Sequence, residues 1–405
     1  MTIDDPKDNL TASKAAILFT AAMVSLVLKM LLAAQGNNYD VDSFRVVGDL
    51  VLQGKTVYAE TSRYNYGPVW AWILGVIRFT QFHAFGSNGL GLFHILIAGF
   101  LAYVDVLIGM LLAYNFSFAA GLVFLLNPVS FLITGYHSQF DNVAILPALG
   151  AALLLFKHPA DTSGRMPLLA GAFLLGLSLA TKHILIFFPM WLFFRKEFGC
   201  GKRFVITAVP YIIFLIMFIP FIPDDAAFLG ITDNVFSYSA AICDFPGFYR
   251  HLVSLFVPID RIERLFSSVP VFPGFKFVWL VTMLATGWLL RKTDCRHLIL
   301  FYLLAVCVFS PQIADQYMAI PIAACAVFWR SWLAWGYMLL ATLYLVFFSP
   351  DNVSSIPAIE RIAHHVRFVN IERWYPFAIL FVLLIVAAIT SWRKNVGKMT
   401  GAMKS

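Results

Sequence analysis

Apolar runs of about twenty residues recur along the whole chain, and no other feature narrows the possible folds so far. A helix rises about 1.5 Å per residue, so about 20 apolar residues cross a hydrocarbon layer about 30 Å thick. Segments near 13–34, 89–113, 117–135, 141–157, 166–181, 183–195, 203–222, 275–291, 297–311, 316–330, 331–349 and 374–392 approach that length. The expected fold is therefore all-α, a polytopic transmembrane helical bundle of about twelve spans, forming one integral-membrane domain over residues 1–405. Composition agrees: 60% of the 405 residues are hydrophobic and 13% charged, too few polar side chains to clothe a water-soluble globule of this size.

Charge placement sets the orientation. Met166 to Phe194 reads as one long helix or as two, with Lys182 and His183 at its middle. A break at Lys182 puts Lys157, Arg165, Arg195, Lys196, Lys202, Arg203, Arg291, Lys292, Arg296, Arg330 and Arg393 on one side, as the positive-inside rule prefers. Both ends are then cytoplasmic, the apolar run Ala15 to Ala34 is a retained first span, and most acids fall outside. Three outer segments, near 35–88, 223–274 and 350–373, mix aromatics, prolines and charges, which fits interfacial helices and ordered loops. The net charge of +7 comes from these short clusters, so nucleic acid is not an expected partner. The five cysteines, at 200, 243, 295, 307 and 325, have the spacing of neither a disulfide framework nor a zinc site.

Polar groups concentrate at the outer ends of the spans. The first outer loop carries Asp40-Val41-Asp42 with Arg45, then Tyr64-Asn65-Tyr66-Gly67-Pro68 before an amphipathic stretch. A carboxylate held at a low-dielectric surface becomes a better base, whereas an acid opening a helix is equally a simple cap. Gly135 to Asn142 places His137, Gln139 and Asp141 between spans three and four, and an N-cap role suffices for Asp141. Lys182 with His183 offers a fixed cation for a phosphate, or a lysine that snorkels to the interface. Further outer groups are Asp224, Asp225, Asp233, Asn234, Tyr238, Asp244 and Arg250, then Ser310 to Tyr317 with Gln312 and Asp315. Within the spans stand Lys29 and Asp105, for which a hydrogen bond joining two helices is the favoured reading. No Gly-rich phosphate loop, HExxH or nucleophile elbow is present.

In this order the residues resemble the GT-C class of integral-membrane glycosyltransferases that use polyprenyl-phosphate-linked sugars, above all the glucosyltransferases that extend the lipid-linked oligosaccharide for N-glycosylation. Asp40-Val41-Asp42 with Arg45 resembles their acidic pair of Asp-aromatic-Glu type followed by Arg, and Tyr66-Gly67-Pro68 their Tyr-Pro-Pro stretch. His137-Ser138-Gln139-Phe140-Asp141 resembles their His-Phe-Gln-Tyr-Asn motif, and Thr181-Lys182-His183 before Phe188-Pro189 their Phe-Lys-Gln before Tyr-Ala-Pro. Val41, Gly67 and His183 depart from the pattern, and beyond residue 200 the likeness is one of layout.

The resemblance implies an inverting transfer of a hexose from a polyprenyl-phosphate donor to a lipid-linked or glycan acceptor, without a metal ion or other cofactor. Asp40 would be the general base and Asp42 its support or a ligand of acceptor hydroxyls. Lys182, His137 and Arg250 would steady the departing phosphate, with His183, Gln139, Arg45, Gln312 and Asp315 as further substrate-binding candidates. The expected setting is a bacterial inner membrane with the site facing the periplasm, or an endoplasmic reticulum membrane with a luminal site. The rival readings are a transporter or flippase for a polar lipid, which also needs many spans and an outward cavity, and a catalytically dead assembly subunit or lipid-binding scaffold.

Overall fold

The computed structural model describes residues 11–36, 38–86, 88–157, 165–237, 261, 271–310, 314–349 and 371–402. Among them the chain is helical throughout, with no strand. The principal helices are α1 (Ala12–Ala33), α2 (Tyr39–Leu52), α3 (Pro68–Phe85), α4 (Leu90–Asn115), α5 (Phe118–Leu125), α6 (Asp141–Lys157), α7 (Arg165–Thr181), α8 (Phe188–Phe193), α9 (Cys200–Ile216), α10 (Val271–Leu289), α11 (Cys295–Phe309), α12 (Ile322–Val327), α13 (Trp332–Phe347) and α14 (Trp374–Ala402). Their starts follow from local chemistry. Thr11, Asn38, Ser117 and Asp294 accept backbone N–H groups at N-termini, while Pro68 and Pro189 occupy first-turn positions where no N–H is needed.

The expected twelve spans are not all there by length. Among the described residues four helical stretches are long and apolar enough to cross a membrane, Ala12–Ala33, Leu90–Asn115, Cys200–Phe221 and Trp374–Ser391, or five if Phe118–Leu125 and Pro128–Tyr136, bent by 40°, count as one. Six further apolar helices, including Asp141–Phe156, Met166–Thr181 and Trp332–Phe347, have only 10–17 residues. Sixteen residues rise about 24 Å, short of a hydrocarbon core of about 30 Å. The shortening has visible causes: Asn127-Pro128 breaks one run, Lys182 leaves the helix at φ −152° in another, and Pro321 precedes α12.

α11 is the centre of the packing. Every residue from Cys295 to Val308 is buried, the pattern of a helix surrounded on all sides, and it lies against α6, α10 and α14. α1 packs on α4, and α7 lies between α6 and α9. The first outer segment, expected to hold interfacial helices, forms α2 and α3, which cross each other closely. Arg78 of α3 is buried and donates to Asp49 of α2 (2.7 Å) and to Gln81 (2.5 Å) and Asn88.

α4 joins two chemically different ends. Near its start His94 Nδ1 bonds the carbonyl of Gly36 (2.7 Å), and at its last residue the Asn115 carbonyl accepts from Arg296 (3.1 Å). The 21 residues from His94 to Asn115 rise about 32 Å. The first end collects Asn38, Asp40 and His137. The second collects Arg195 and Arg296 around the start of α11, with Arg291 four residues before Cys295.

Between the two ends, Lys29 and Asp105 form the expected ion pair, both wholly buried. Ser130 Oγ (2.9 Å) and Asn142 Nδ2 (2.6 Å) donate to the same carboxylate, so α1, α4, the bend after α5 and the start of α6 meet at one group. Removing one partner leaves a bare charge among apolar helices, which costs roughly 3 to 5 kcal/mol. Asp105→Leu is therefore expected to lower the thermal midpoint in detergent sharply, and the double change Lys29→Met with Asp105→Leu to recover much of it. Equal losses in the single and double variants would show that the ion pair does not join these helices.

Candidate functional site

The site is built around the connection from the bend after α5 to α6. The turn Phe131–Tyr136 is a π-helix that lies on α1, with Gly135 so close that an added Cβ would come within 2.9 Å of Lys29 Cα. The chain then reverses through Ser138, which holds a left-handed φ of 52°. That conformation is uncommon for a residue with a Cβ, and it aims the side chains on either side of it differently. Asn38, the cap of α2, bonds His137 Nδ1 through its amide nitrogen (3.2 Å), and Gln139 Nε2 donates to Asp40. Phe140 stacks on Trp70 at 4.2 Å and meets Phe44 and Tyr66 edge-on, a rigid apolar floor.

Asp141 opens α6, yet neither of its oxygens accepts a hydrogen bond, so the N-cap role expected from the sequence is not the one it has. Its carboxylate faces Lys182 at 2.8 Å. Lys182 is only 4% exposed, with its ammonium 4.8 Å from the centre of the Phe140 ring and 5.2 Å from that of Tyr66. It does not snorkel to an interface; it is sealed between a carboxylate and two aromatic faces.

The break after α7 is held open by two tyrosines. Tyr302 of α11 donates to the Ile184 carbonyl (2.9 Å) and accepts from Phe187 N–H (3.2 Å), and Tyr211 of α9 donates to the Ile186 carbonyl (2.6 Å). Non-helical backbone buried among apolar helices needs such partners. The start of α3 closes the site from the other side. A Cβ at Gly67 would fall 1.9 Å from the Ala180 carbonyl, two residues before Lys182, so only glycine fits there.

Beyond the Asp141 and Lys182 ion pair, several polar atoms in this cluster are buried without a hydrogen-bond partner: Asp141 Oδ2, Gln139 Oε1, Ser138 Oγ, Thr134 Oγ1 and His183 Nδ1. Leaving a buried donor or acceptor unmet costs roughly 1 to 3 kcal/mol each, so the concentration marks a place built to receive a polar group. Gln139 and Asp141 are two residues apart, within about 7 Å at Cα. Asp40 and the Lys182 ammonium are therefore held by neighbouring residues of one connection, the carboxylate on Gln139 and the cation on Asp141.

Other expected residues lie elsewhere. Asp42 is two positions further along α2 than Asp40, about 200° round the helix. Asp42 and Arg45 are half-buried, and among the described residues neither side chain makes an ion pair or hydrogen bond to the cluster. Asp315 forms a second group: it pairs with Arg373 (2.7 Å) and accepts from Tyr344 (3.3 Å) and Ser349, while Arg373 also donates to Tyr344 (3.0 Å). Sequence reading missed Arg373, Tyr344 and Ser349. The available signal was a cation just before the apolar run of α14. Arg250 and Gln312 lie outside the described residues, as do Tyr238 and Asp244. No group of three or more metal-ligating side chains occurs among the described residues.

Comparison with protein-family models, curated proteins and solved structures finds no match for this chain.

The contact between Gly67 and Ala180 gives a direct test of how the site is assembled. Gly67→Ala forces the Ala180 carbonyl, and Lys182 with it, away from Tyr66, and is expected to destabilise by roughly 1 to 3 kcal/mol. Thermal unfolding in detergent measures it; an unchanged midpoint would mean that α3 and α7 do not meet there.

Proposed function

We propose that the chain is an integral-membrane glycosyltransferase of GT-C type, moving a hexose from a polyprenyl-phosphate donor to a lipid-linked or glycan acceptor. The observation that carries this reading is the pairing of a half-buried carboxylate, Asp40, with a sealed cation, Lys182, through adjacent residues of one polar connection. A lipid-linked sugar phosphate has its reactive bond fixed at the membrane surface, so a base and a phosphate-holding cation must be fixed close together as well. The six shorter apolar helices, added to the four long ones and the bent pair, would complete a bundle of eleven crossings, thinned where the polar ends of the helices gather. The site would face the periplasm of a bacterial inner membrane, or the lumen of an endoplasmic reticulum membrane.

In this mechanism the acceptor hydroxyl oxygen attacks the anomeric carbon from the face opposite the phosphate. Its proton passes to Asp40, positioned by Gln139. The bond between the anomeric carbon and the phosphate oxygen breaks with its electron pair on the oxygen, and polyprenyl phosphate leaves. The anomeric centre inverts in this single displacement. Lys182 exchanges the Asp141 carboxylate for the phosphate oxygens, a replacement of one charge-assisted contact by another that keeps the buried ammonium paired. His137 and His183, flanking the connection and the Lys182 break, would offer ring N–H donors to the phosphate or sugar hydroxyls.

The test is transfer itself. Purified protein is expected to move a labelled hexose from polyprenyl phosphate to an acceptor. Asp40→Asn, which retains a side chain able to pair with Gln139, should lower kcat by at least about a hundredfold at unchanged stability. Full turnover by that variant would remove Asp40 from the role of base, and movement of the intact donor across vesicles without transfer would support a flippase instead. Lys182→Met should raise the KM for the donor by roughly tenfold to a hundredfold, the loss of a charge-assisted contact to phosphate. A normal KM would separate the lysine from the donor.

A further inference from the structure

The opposite end of the molecule carries a second feature that the transfer reaction does not use. α8 and α10 are fastened side by side by Trp191, whose indole N–H donates to the Met283 carbonyl (2.9 Å). Both helices then end in cations: Arg195-Lys196 after α8 and Arg291-Lys292 after α10. Between these ends lies a cavity of about 390 Å³ lined by Lys196, Glu197, Arg291 and Lys292.

The charge in this cavity is unbalanced. Glu197 is engaged by Arg195, through Nε (2.8 Å) and Nη2. Among the described residues no carboxylate pairs with Lys196, Arg291 or Lys292. Arg195 is only 3% exposed, and its Nη1 is buried with no hydrogen-bond partner. Three cations around one space repel one another, by roughly 1 kcal/mol per pair at about 4 Å in water and more beside apolar helices. An anion at this place removes that repulsion.

The flank of the cavity is that of a hydrocarbon boundary. The Arg291 guanidinium lies 4.1 Å from the centre of the Trp288 ring, and Phe194 meets the same ring edge-on at 5.7 Å. Trp288 is 48% and the adjacent Leu289 76% exposed on the outer surface of α10. An amphipathic aromatic beside a cation, next to an uncovered aliphatic residue, is the arrangement found where acyl chains meet headgroups. A freely soluble anion has no use for that apolar edge.

We propose that this cavity binds the phosphate-bearing headgroup of an anionic phospholipid, its phosphate held by Lys196, Arg291 and Lys292 and its acyl chains lying along Trp288 and Leu289. This site is separate from the Asp40 and Lys182 cluster and stands whether or not that cluster transfers a sugar. It would anchor the basic end of the helical bundle against the anionic face of the membrane.

The experiment uses the full chain, delipidated in a neutral detergent, and follows its thermal midpoint while short-chain phosphatidylglycerol is added. Phosphatidylcholine and inorganic phosphate are titrated in parallel, and Arg291→Gln with Lys292→Gln is the variant, both residues lying at the surface and outside the proposed reaction. Phosphatidylglycerol should raise the midpoint of the unaltered chain in a saturable, salt-sensitive way. The apparent affinity should fall at least tenfold in the variant, with little response to phosphatidylcholine or phosphate in either protein. Equal responses of both proteins to phosphatidylglycerol would overturn the site. Saturation by inorganic phosphate at the same concentrations would overturn the lipid assignment, since the apolar flank would then contribute nothing. Should the variant unfold at the outset, Lys196→Gln alone, on an exposed side chain, must show a weaker response for the proposal to stand.

Discussion

A charge placed among apolar helices must have its opposite charge beside it, and this requirement organises the centre of the molecule. Lys29 and Asp105 meet between α1 and α4 with no exposure at all, and Asp141 and Lys182 meet between α6 and the break after α7. The two pairs are connected by neighbours, since Asn142 donates to Asp105 and Asp141 faces Lys182. Four helices are thereby fixed relative to one connection of the chain, residues 137–142. Desolvation makes such pairs weak sources of net stability, but breaking one is costly, so they fix which arrangement of helices is acceptable.

That same connection holds the candidate site. The left-handed Ser138 lets His137 and Gln139 turn toward Asn38 and Asp40 while Phe140 and Asp141 turn toward Trp70 and Lys182. The two tyrosine clamps, Tyr302 and Tyr211, keep the Lys182 break open against the tendency of an apolar run to continue as helix. What results is a rigid frame with its polar atoms incompletely met inside it. Rigid placement of reactive groups with spare hydrogen-bonding capacity is what a site for a charged substrate needs.

Much of this was legible in the residues, and the rest was not for definable reasons. The helical class and the Lys29 partnership with Asp105 follow from hydrophobic length and from the isolation of two opposite charges in apolar runs. The break at Lys182 followed from charge placement alone. Span lengths did not follow, because sequence hydrophobicity runs through points where the backbone leaves the helix, as at Asn127-Pro128. The pairing of Asp141 with Lys182 was hidden as well. An acid at a helix start has a ready local role as a cap, and only the packing of α6 on α7 shows that its carboxylate is turned to a cation 41 residues away. Gly67 read as a departure from a Pro-Pro pattern, whereas its cause is a carbonyl of α7 filling the space of a side chain.

The central claim is that Asp40 and Lys182 grip opposite ends of one reacting molecule. An electron-microscopy map of the full chain in lipid nanodiscs, with a non-transferable polyprenyl-phosphate sugar analogue, tests it most directly. The account predicts phosphate density against the Lys182 ammonium, the Asp141 carboxylate displaced from it, and the sugar ring lying toward Asp40. Analogue density at any other place, with the Asp141 and Lys182 pair still closed, would contradict it.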